Sequence, residues 1–243
     1  MRVTFVGSGD AFGSGGRFQT CILVEAGTSR VLLDCGASSL VALKRLGFDP
    51  LDVDAVLLTH LHGDHFGGLP FLILDAQFHR RTRPLVVAGP PSVERRARDA
   101  MEVFFPGSSG VARRFPVSYV ELEDRRAVTI AGVSVVPYEV VHPSGAPPLA
   151  LRVTVGDKTV AYSGDTEWTA ALREVARDAD LFICEAYGFD KVVKYHLDYT
   201  TLMAHRDELG CKRLVLTHLS AEMLHHAGDV KAQCAHDGLT IDL

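Results

Sequence analysis

His60-Leu61-His62-Gly63-Asp64-His65 sets three imidazoles and a carboxylate within six positions, directly after the apolar run Ala55-Val56-Leu57-Leu58. That run reads as a buried strand. On a helix, residues two apart point away from each other, whereas in an extended segment they return to one face, so His60 and His62 can grip a common ion only from extended backbone. The stretch is therefore predicted to be a loop at a strand end, with the helix beginning after it. Imidazole and carboxylate donors together suit zinc, and less selectively iron or manganese. Four such donors are more than a single four-coordinate ion takes from one loop, so two divalent metal ions are expected. A loop of merely solvated histidines is set aside, because turns do not require this density of ligand-type groups.

Working outward, other apolar runs end the same way. Leu32-Leu33-Asp34 closes a strand over 30–34, Val141-His142 closes one over 133–141, and Ser163-Gly164-Asp165-Thr166 is the exit of a hairpin formed by 149–155 and 159–162. A strand over 180–185 ends in Glu185, and one over 213–216 runs into Thr217-His218. Taken singly, such a residue is more often a turn or capping group, and Asp34 by itself reads that way. Six strands ending in Asp, Glu or His line one rim of the sheets with metal-ligand chemistry. Further strands are expected over 3–6, 20–25, 85–88 and 127–130. Helices are expected over 38–46, after the lead-in Phe66-Gly67-Gly68-Leu69-Pro70 through about Phe78, and over 91–104, 169–177 and 200–209. The loop 186–199 carries His196, and a short helix and a tail strand over 239–243 end the chain.

Other features are less decisive. The glycines at 7, 9 and 13 miss the dinucleotide-binding spacing and lead into a strand rather than a helix, so the loop is either a plain connector or a close approach to a bound phosphate. Ten arginines against six acidic residues make 80–126 locally positive. A phosphate-rich substrate could use that segment, although solvated helix and loop faces explain arginine pairs at least as well. His79, His205, His225, His226 and His236 lack partner spacing and read as surface groups.

With 243 residues, 47% hydrophobic and 23% charged, the chain can bury a large core, and one domain over 1–243 is expected. A formal charge of −5 argues against a generally basic nucleic-acid binder. The five cysteines show no C-x-x-C spacing, which indicates neither a disulfide framework nor a structural zinc. No apolar stretch suits a signal peptide or a membrane span, so a cytoplasmic protein without membrane partners is expected.

With these residues in hand the chain resembles the metallo-β-lactamase superfamily over nearly its whole length, through the H-x-H-x-D-H loop, His142, Asp165 in Ser-Gly-Asp-Thr and His218 in Leu-Thr-His-Leu-Ser, in that order. The resemblance implies an α/β, four-layer αββα sandwich of two mixed sheets. It assigns His60, His62 and His142 to one metal, and Asp64, His65 and His218 to the other, with Asp165 bridging. Asp34 becomes the group that holds a ligand histidine in place, which reverses its reading as a turn residue. The start looks most like the tRNA 3′-processing endonucleases (RNase Z) and their phosphodiesterase relatives. Those enzymes also carry a Glu and His pair that Glu185 and His196 match.

The implied activity is a dinuclear-metal hydrolase, zinc being the expected ion, in which hydroxide generated at the metals attacks a phosphodiester. Asp64 would accept a proton, and His196, oriented by Glu185, would serve the phosphoryl oxygen or the leaving alkoxide. Small molecules or single-stranded RNA are the implied substrates, and a homodimer is compatible with the resemblance. Two departures weigh against precursor tRNA. The interval between His142 and Asp165 is too short for the usual tRNA-gripping arm, and Leu197-Asp198 follows His196 where Ser-Thr is usual. Alternatives on the same residues are an arm-less RNA endonuclease, a hydrolase of lactones, thioesters or β-lactams, and an iron-dependent oxidoreductase.

Overall fold

Two seven-stranded mixed sheets lie face to face with helices on both outer surfaces, in a computed structural model that describes residues 1–243. In chain order the elements are β1 (Arg2–Gly7), β2 (Cys21–Ala26), β3 (Ser29–Leu33), α1 (Ser39–Arg45), β4 (Ala55–Leu57), α2 (Gly63–Phe66), α3 (Leu69–Phe78), β5 (Leu85–Gly89), α4 (Val93–Phe104) and β6 (Val117–Glu121). There follow β7 (Val128–Ile130), β8 (Val133–Glu139), β9 (Leu149–Val155), β10 (Lys158–Tyr162), α5 (Ala171–Ala176), β11 (Leu181–Glu185), α6 (Tyr199–Ala204), β12 (Leu214–Thr217), α7 (Ala221–His225), β13 (Gln233–Cys234) and β14 (Thr240–Asp242). The first sheet has the order β14-β1-β2-β3-β4-β5-β6 and the second β13-β12-β11-β10-β9-β8-β7. Each is antiparallel on one side and parallel on the other, where β3 to β6 and β10 to β13 run alongside one another.

The layers follow from the two-residue period of a strand. In β3, Val31 and Leu33 enter the core between the sheets while Leu32 points to the helices. In β11, Leu181 and Ile183 face inward, and Phe182 and Cys184 meet the outer layer of α5 to α7. Runs that read as continuously apolar are thus buried on both faces, as parallel strands require. Helix α4 shows the complementary pattern, with Val93, Ala97 and Met101 buried at four-residue spacing and arginines on the other faces. Leu151→Ala, in the shared core, removes packing from both sheets and falls in the class that costs about 2–5 kcal/mol.

The four-layer expectation is met, with three differences in detail. The helix expected after the histidine loop is α3, but a separate short helix precedes it inside the loop. His62 is extended, and the next residues form α2, with Phe66 N–H donating to His62 C=O at 3.0 Å. Strands β6 and β13 lie outside the predicted set. Both are short edge strands with partly exposed residues, so neither shows a continuous apolar run. The helix expected over 200–209 is α6 followed by a separate tight turn at Arg206–Glu208.

The arginine-rich segment is dispersed and largely engaged. The buried Arg81 donates to the carbonyls of Leu51, Val53, Arg83 and Pro84 at 2.6–2.7 Å, binding together the turns beside β4 and β5. Arg83 pairs with Asp54, Arg98 with Glu94, Arg125 with Glu174, and Arg126 with Glu123. No helix is long and apolar enough to cross a membrane.

Candidate metal centre

The carboxyl ends of the parallel strands open on one rim, where open α/β sheets generally place ligands. Strand β3 delivers Asp34, β4 delivers the histidine motif, β10 delivers Asp165, and β11 and β12 deliver Glu185 and His218. His142 arrives from the end of β8 and His196 from the loop between β11 and α6. All ten residues singled out in the sequence meet here.

The halves of the motif feed two donor groups. The extended half supplies His60 and His62, which form a triangle with His142 whose ring centroids are 4.8–4.9 Å apart. The helical half supplies Asp64 and His65, which gather with Asp165 and His218. In this second group His65 Nε2 lies 3.2 Å from Asp64 Oδ2, 3.3 Å from Asp165 Oδ1 and 3.4 Å from His218 Nε2. A tetrahedral ion with bonds of about 2.0–2.1 Å places neighbouring donors about 3.3 Å apart, so these spacings are those of a group able to hold a metal ion. Asp165 also sets Oδ2 3.8 Å from both His60 Nε2 and His142 Nε2, and so touches both groups.

The histidine orientations are fixed from behind. Asp34 Oδ2 meets His65 Nδ1 at 2.7 Å, and Asp34 also accepts from Thr59 N–H at 2.8 Å and Tyr162 OH at 2.9 Å. His60 Nδ1 lies 3.0 Å from Thr59 Oγ1, and His142 Nδ1 donates to the Tyr195 carbonyl at 2.9 Å. In these three rings Nδ1 is engaged and Nε2 is turned to the centre, the arrangement that prepares imidazole as a ligand. The buried His218 Nδ1, by contrast, has no partner, and His62 sets Nδ1 3.0 Å from His142 Nε2. His60 Nε2 and Asp165 Oδ1 are buried without a hydrogen-bond partner. Such atoms are costly unless something binds them, and a divalent cation suits this donor set.

Backbone geometry serves the same end. Asp34 and His218 occupy left-handed conformations, at φ 60° and 58°, a region that non-glycine residues populate sparsely. Gly164, at φ 57°, lets the turn before Asp165 press on Thr59, where a Cβ would stand 2.8 Å from the Thr59 Cβ.

Electrostatics treat the two donor groups differently. Burial opposes protonation of His65 and His218, but Asp165 and Asp64 outweigh it, raising His65 well above the ordinary histidine value and His218 to about 9. The first group is instead held in ligand form. Burial, and then the neighbouring His65, hold His60 well below the ordinary histidine value, so it is neutral. Burial likewise lowers His62 and His142. Burial opposes ionisation of Asp165, but His218 and His65 outweigh it and hold the carboxyl well below its usual range.

His196 stands at the edge of this centre, its side chain 19% exposed, with Nδ1 3.0 Å from Glu185 Oε2. Glu185 is raised to about 7 by burial and by Asp165, and it also accepts from the Thr166 N–H. The sequence reading missed Thr59 and Tyr162, which hold Asp34, and Tyr187, whose ring stacks on His196 with centroids 4.7 Å apart. Only their position beside strand ends could have flagged them.

The remaining histidines lie apart from the donor groups. His79, His225 and His236 are exposed, while His205 stacks on Trp168 and His226 on Phe189.

Comparison with known proteins supports this picture. Residues 1–236 match the family of the anti-Pycsar protein Apyc1. The uncharacterized protein Rv1339 of Mycobacterium tuberculosis is 31% identical, over 90% of this chain and 81% of that protein. A ribonuclease Z of Methanosarcina acetivorans is 26% identical, over 91% of this chain and 88% of that protein. The metallo-β-lactamase fold protein YhfI of Bacillus subtilis superposes with a TM-score of 0.79 at 22% identity, covering 99% of this chain and 98% of that one. Built on the metallo-β-lactamase fold around a His and Asp cluster able to hold metal ions, the chain belongs to the anti-Pycsar protein Apyc1 family.

Proposed function

We propose that the protein is a dinuclear-metal phosphodiesterase, zinc being the metal that the donor set suits best, acting on small or single-stranded phosphodiesters. His60, His62 and His142 would hold one ion and Asp64, His65 and His218 the other, with Asp165 shared. When bound, two such ions supply Lewis acidity toward a phosphoryl oxygen and a nucleophile from water at neutral pH.

The chain's own groups supply the rest. Asp64, acceptor-only when ionised and only slightly exposed, is placed to take a proton from the attacking water. Glu185 fixes the His196 ring through Nδ1, which leaves Nε2 to donate to a phosphoryl oxygen or to the departing alkoxide. Asp34, Thr59 and Tyr195 keep the ligand imidazoles in one tautomer.

The observation that carries this reading is the Glu185–His196 pair beside Asp165. His196 Nδ1 lies 3.9 Å from Asp165 Oδ2, so the couple borders the donor groups and can bring a proton to them, which charged phosphoryl transfer uses. A precursor-tRNA role is less well supported. The ribonuclease Z relative favours it, but the chain from His142 to Asp165 is filled by the β9–β10 hairpin within the sheet, which leaves no arm.

The test couples metal analysis of the purified protein to a panel of bis-aryl phosphate, cyclic nucleotide, precursor tRNA, lactone and β-lactam. Two bound ions per chain and turnover of the diesters are expected. Asp165→Ala should lose metal and turnover together, and His196→Ala should keep the metal and lose about 10²–10⁴-fold in rate. Exclusive turnover of lactone or β-lactam would overturn the assignment.

A further inference from the structure

The loop after β11 carries His196 to the rim on a tight turn, Val193 to His196, closed by the His196 N–H donating to Val193 C=O at 3.0 Å. Tyr195, the third residue of this turn, sits at φ 70°. Turns with a positive φ at that position ordinarily place glycine or asparagine there, and a bulky residue in the left-handed region is uncommon. Val193-Lys194-Tyr195-His196 contains neither glycine nor asparagine.

Both polar backbone groups of Tyr195 are held from outside the loop. Its C=O accepts from His142 Nδ1 at 2.9 Å, and its N–H donates to Glu167 Oε2 at 3.3 Å. These groups belong to the peptide planes on either side of the Tyr195 Cα, so fixing both sets the torsions between them. Glu167 is itself tied back, because its N–H donates at 3.2 Å to the C=O of Val141, the residue before His142. The bonds thus close a ring from Val141-His142 through Tyr195 to Glu167. The peptide plane that His142 holds also contains the His196 nitrogen, and the His142 and His196 rings lie 4.8 Å apart. One turn therefore stands between a histidine of the first donor group and His196.

We propose that Glu167 is a positioning residue for His196, acting by clamping the Tyr195 turn, and that the turn couples the placement of His196 to the group formed by His60, His62 and His142. The inference rests on the phosphodiester reading, in which His196 serves the substrate, and adds the residue that places it. Without the carboxylate of Glu167 the Tyr195 N–H loses its acceptor, and the turn is free to leave the left-handed geometry that its own residues do not favour. Its C=O then swings away from His142 Nδ1, and the His196 backbone moves with it.

The test follows turnover of bis-aryl phosphate at saturating zinc and, separately, zinc affinity in competition against a chelator. Glu167→Ala should lower kcat about tenfold with KM within about twofold, and weaken zinc binding about tenfold. Glu167→Gln, whose amide oxygen still accepts from the Tyr195 N–H, should restore both. Tyr195→Gly added to Glu167→Ala should also restore both, because glycine takes φ 70° without a clamp. In a His196→Ala background, Glu167→Ala should weaken zinc binding but cost no further rate. Should Glu167→Ala not fold, Glu167→Asp, one methylene shorter, carries the same expectations. Wild-type kcat and zinc affinity in Glu167→Ala, even with a lowered Tm, would overturn the clamp. So would a rate loss that adds to that of His196→Ala, because Glu167 would then act by another route. Wild-type protein that turns over no diester removes the phosphodiester reading and this inference with it, whereas diester turnover indifferent to Glu167 removes this inference alone.

Discussion

Asp34 shows how much one residue can depend on its surroundings. From its neighbours in sequence it reads as a turn former, and only the family resemblance gives it another role. In the fold it is fully buried, left-handed at φ 60°, and bonded to His65, Thr59 and Tyr162. Its partners stand at sequence separations of 25–128 residues, so no local pattern could have shown them. Asp34→Asn should retain the fold but loosen the His65 ring, weakening metal affinity about 10–100-fold in competition against a chelator. Unchanged affinity would reduce Asp34 to a structural turn.

Among elements, α6 has its own anchor and a pH dependence. Asp198 caps it, accepting from Thr201 N–H at 2.8 Å, Thr201 Oγ1 at 2.7 Å and Thr200 Oγ1 at 2.6 Å. Burial opposes ionisation of Asp198, but these hydrogen bonds outweigh it and hold its carboxyl below the ordinary value. A carboxylate depressed in the folded state stabilises fully above its unfolded value of about 3.9, and that stabilisation fades as pH falls through the folded value. Asp198→Ala should therefore cost about 1 kcal/mol in urea unfolding at pH 7, with the gap from wild type closing in acid below about pH 3.9. A gap that widened in acid would contradict the sign. Most elements were legible from apolar runs, since strands buried on both faces are continuous in sequence. The edge strands β6 and β13 were not, because exposure on one side erases that signal. The start of α2 was hidden because His62 is extended and Gly63 helical within one motif.

At the scale of the whole molecule, the donor groups join the two sheets: His60, His62, Asp64 and His65 come from the first, and His142, Asp165 and His218 from the second. An ion held by both stabilises only the folded chain. Saturating zinc at about 100-fold over its dissociation constant adds about 2.7 kcal/mol, which for a chain of this size corresponds to a rise in Tm of about 5–10 °C. Chelation should reverse the rise and zinc should restore it, as followed by calorimetry, whereas a Tm indifferent to chelator would argue against a two-sheet metal centre. The sequence by itself determined which residue types end the strands and where, because strand periodicity and ligand chemistry are local properties. Only the tertiary structure decided the spacing of those donors and the reach of Asp165 to both groups. Those features depend on residues far apart in the chain, and the packing of one sheet on the other is what brings them together.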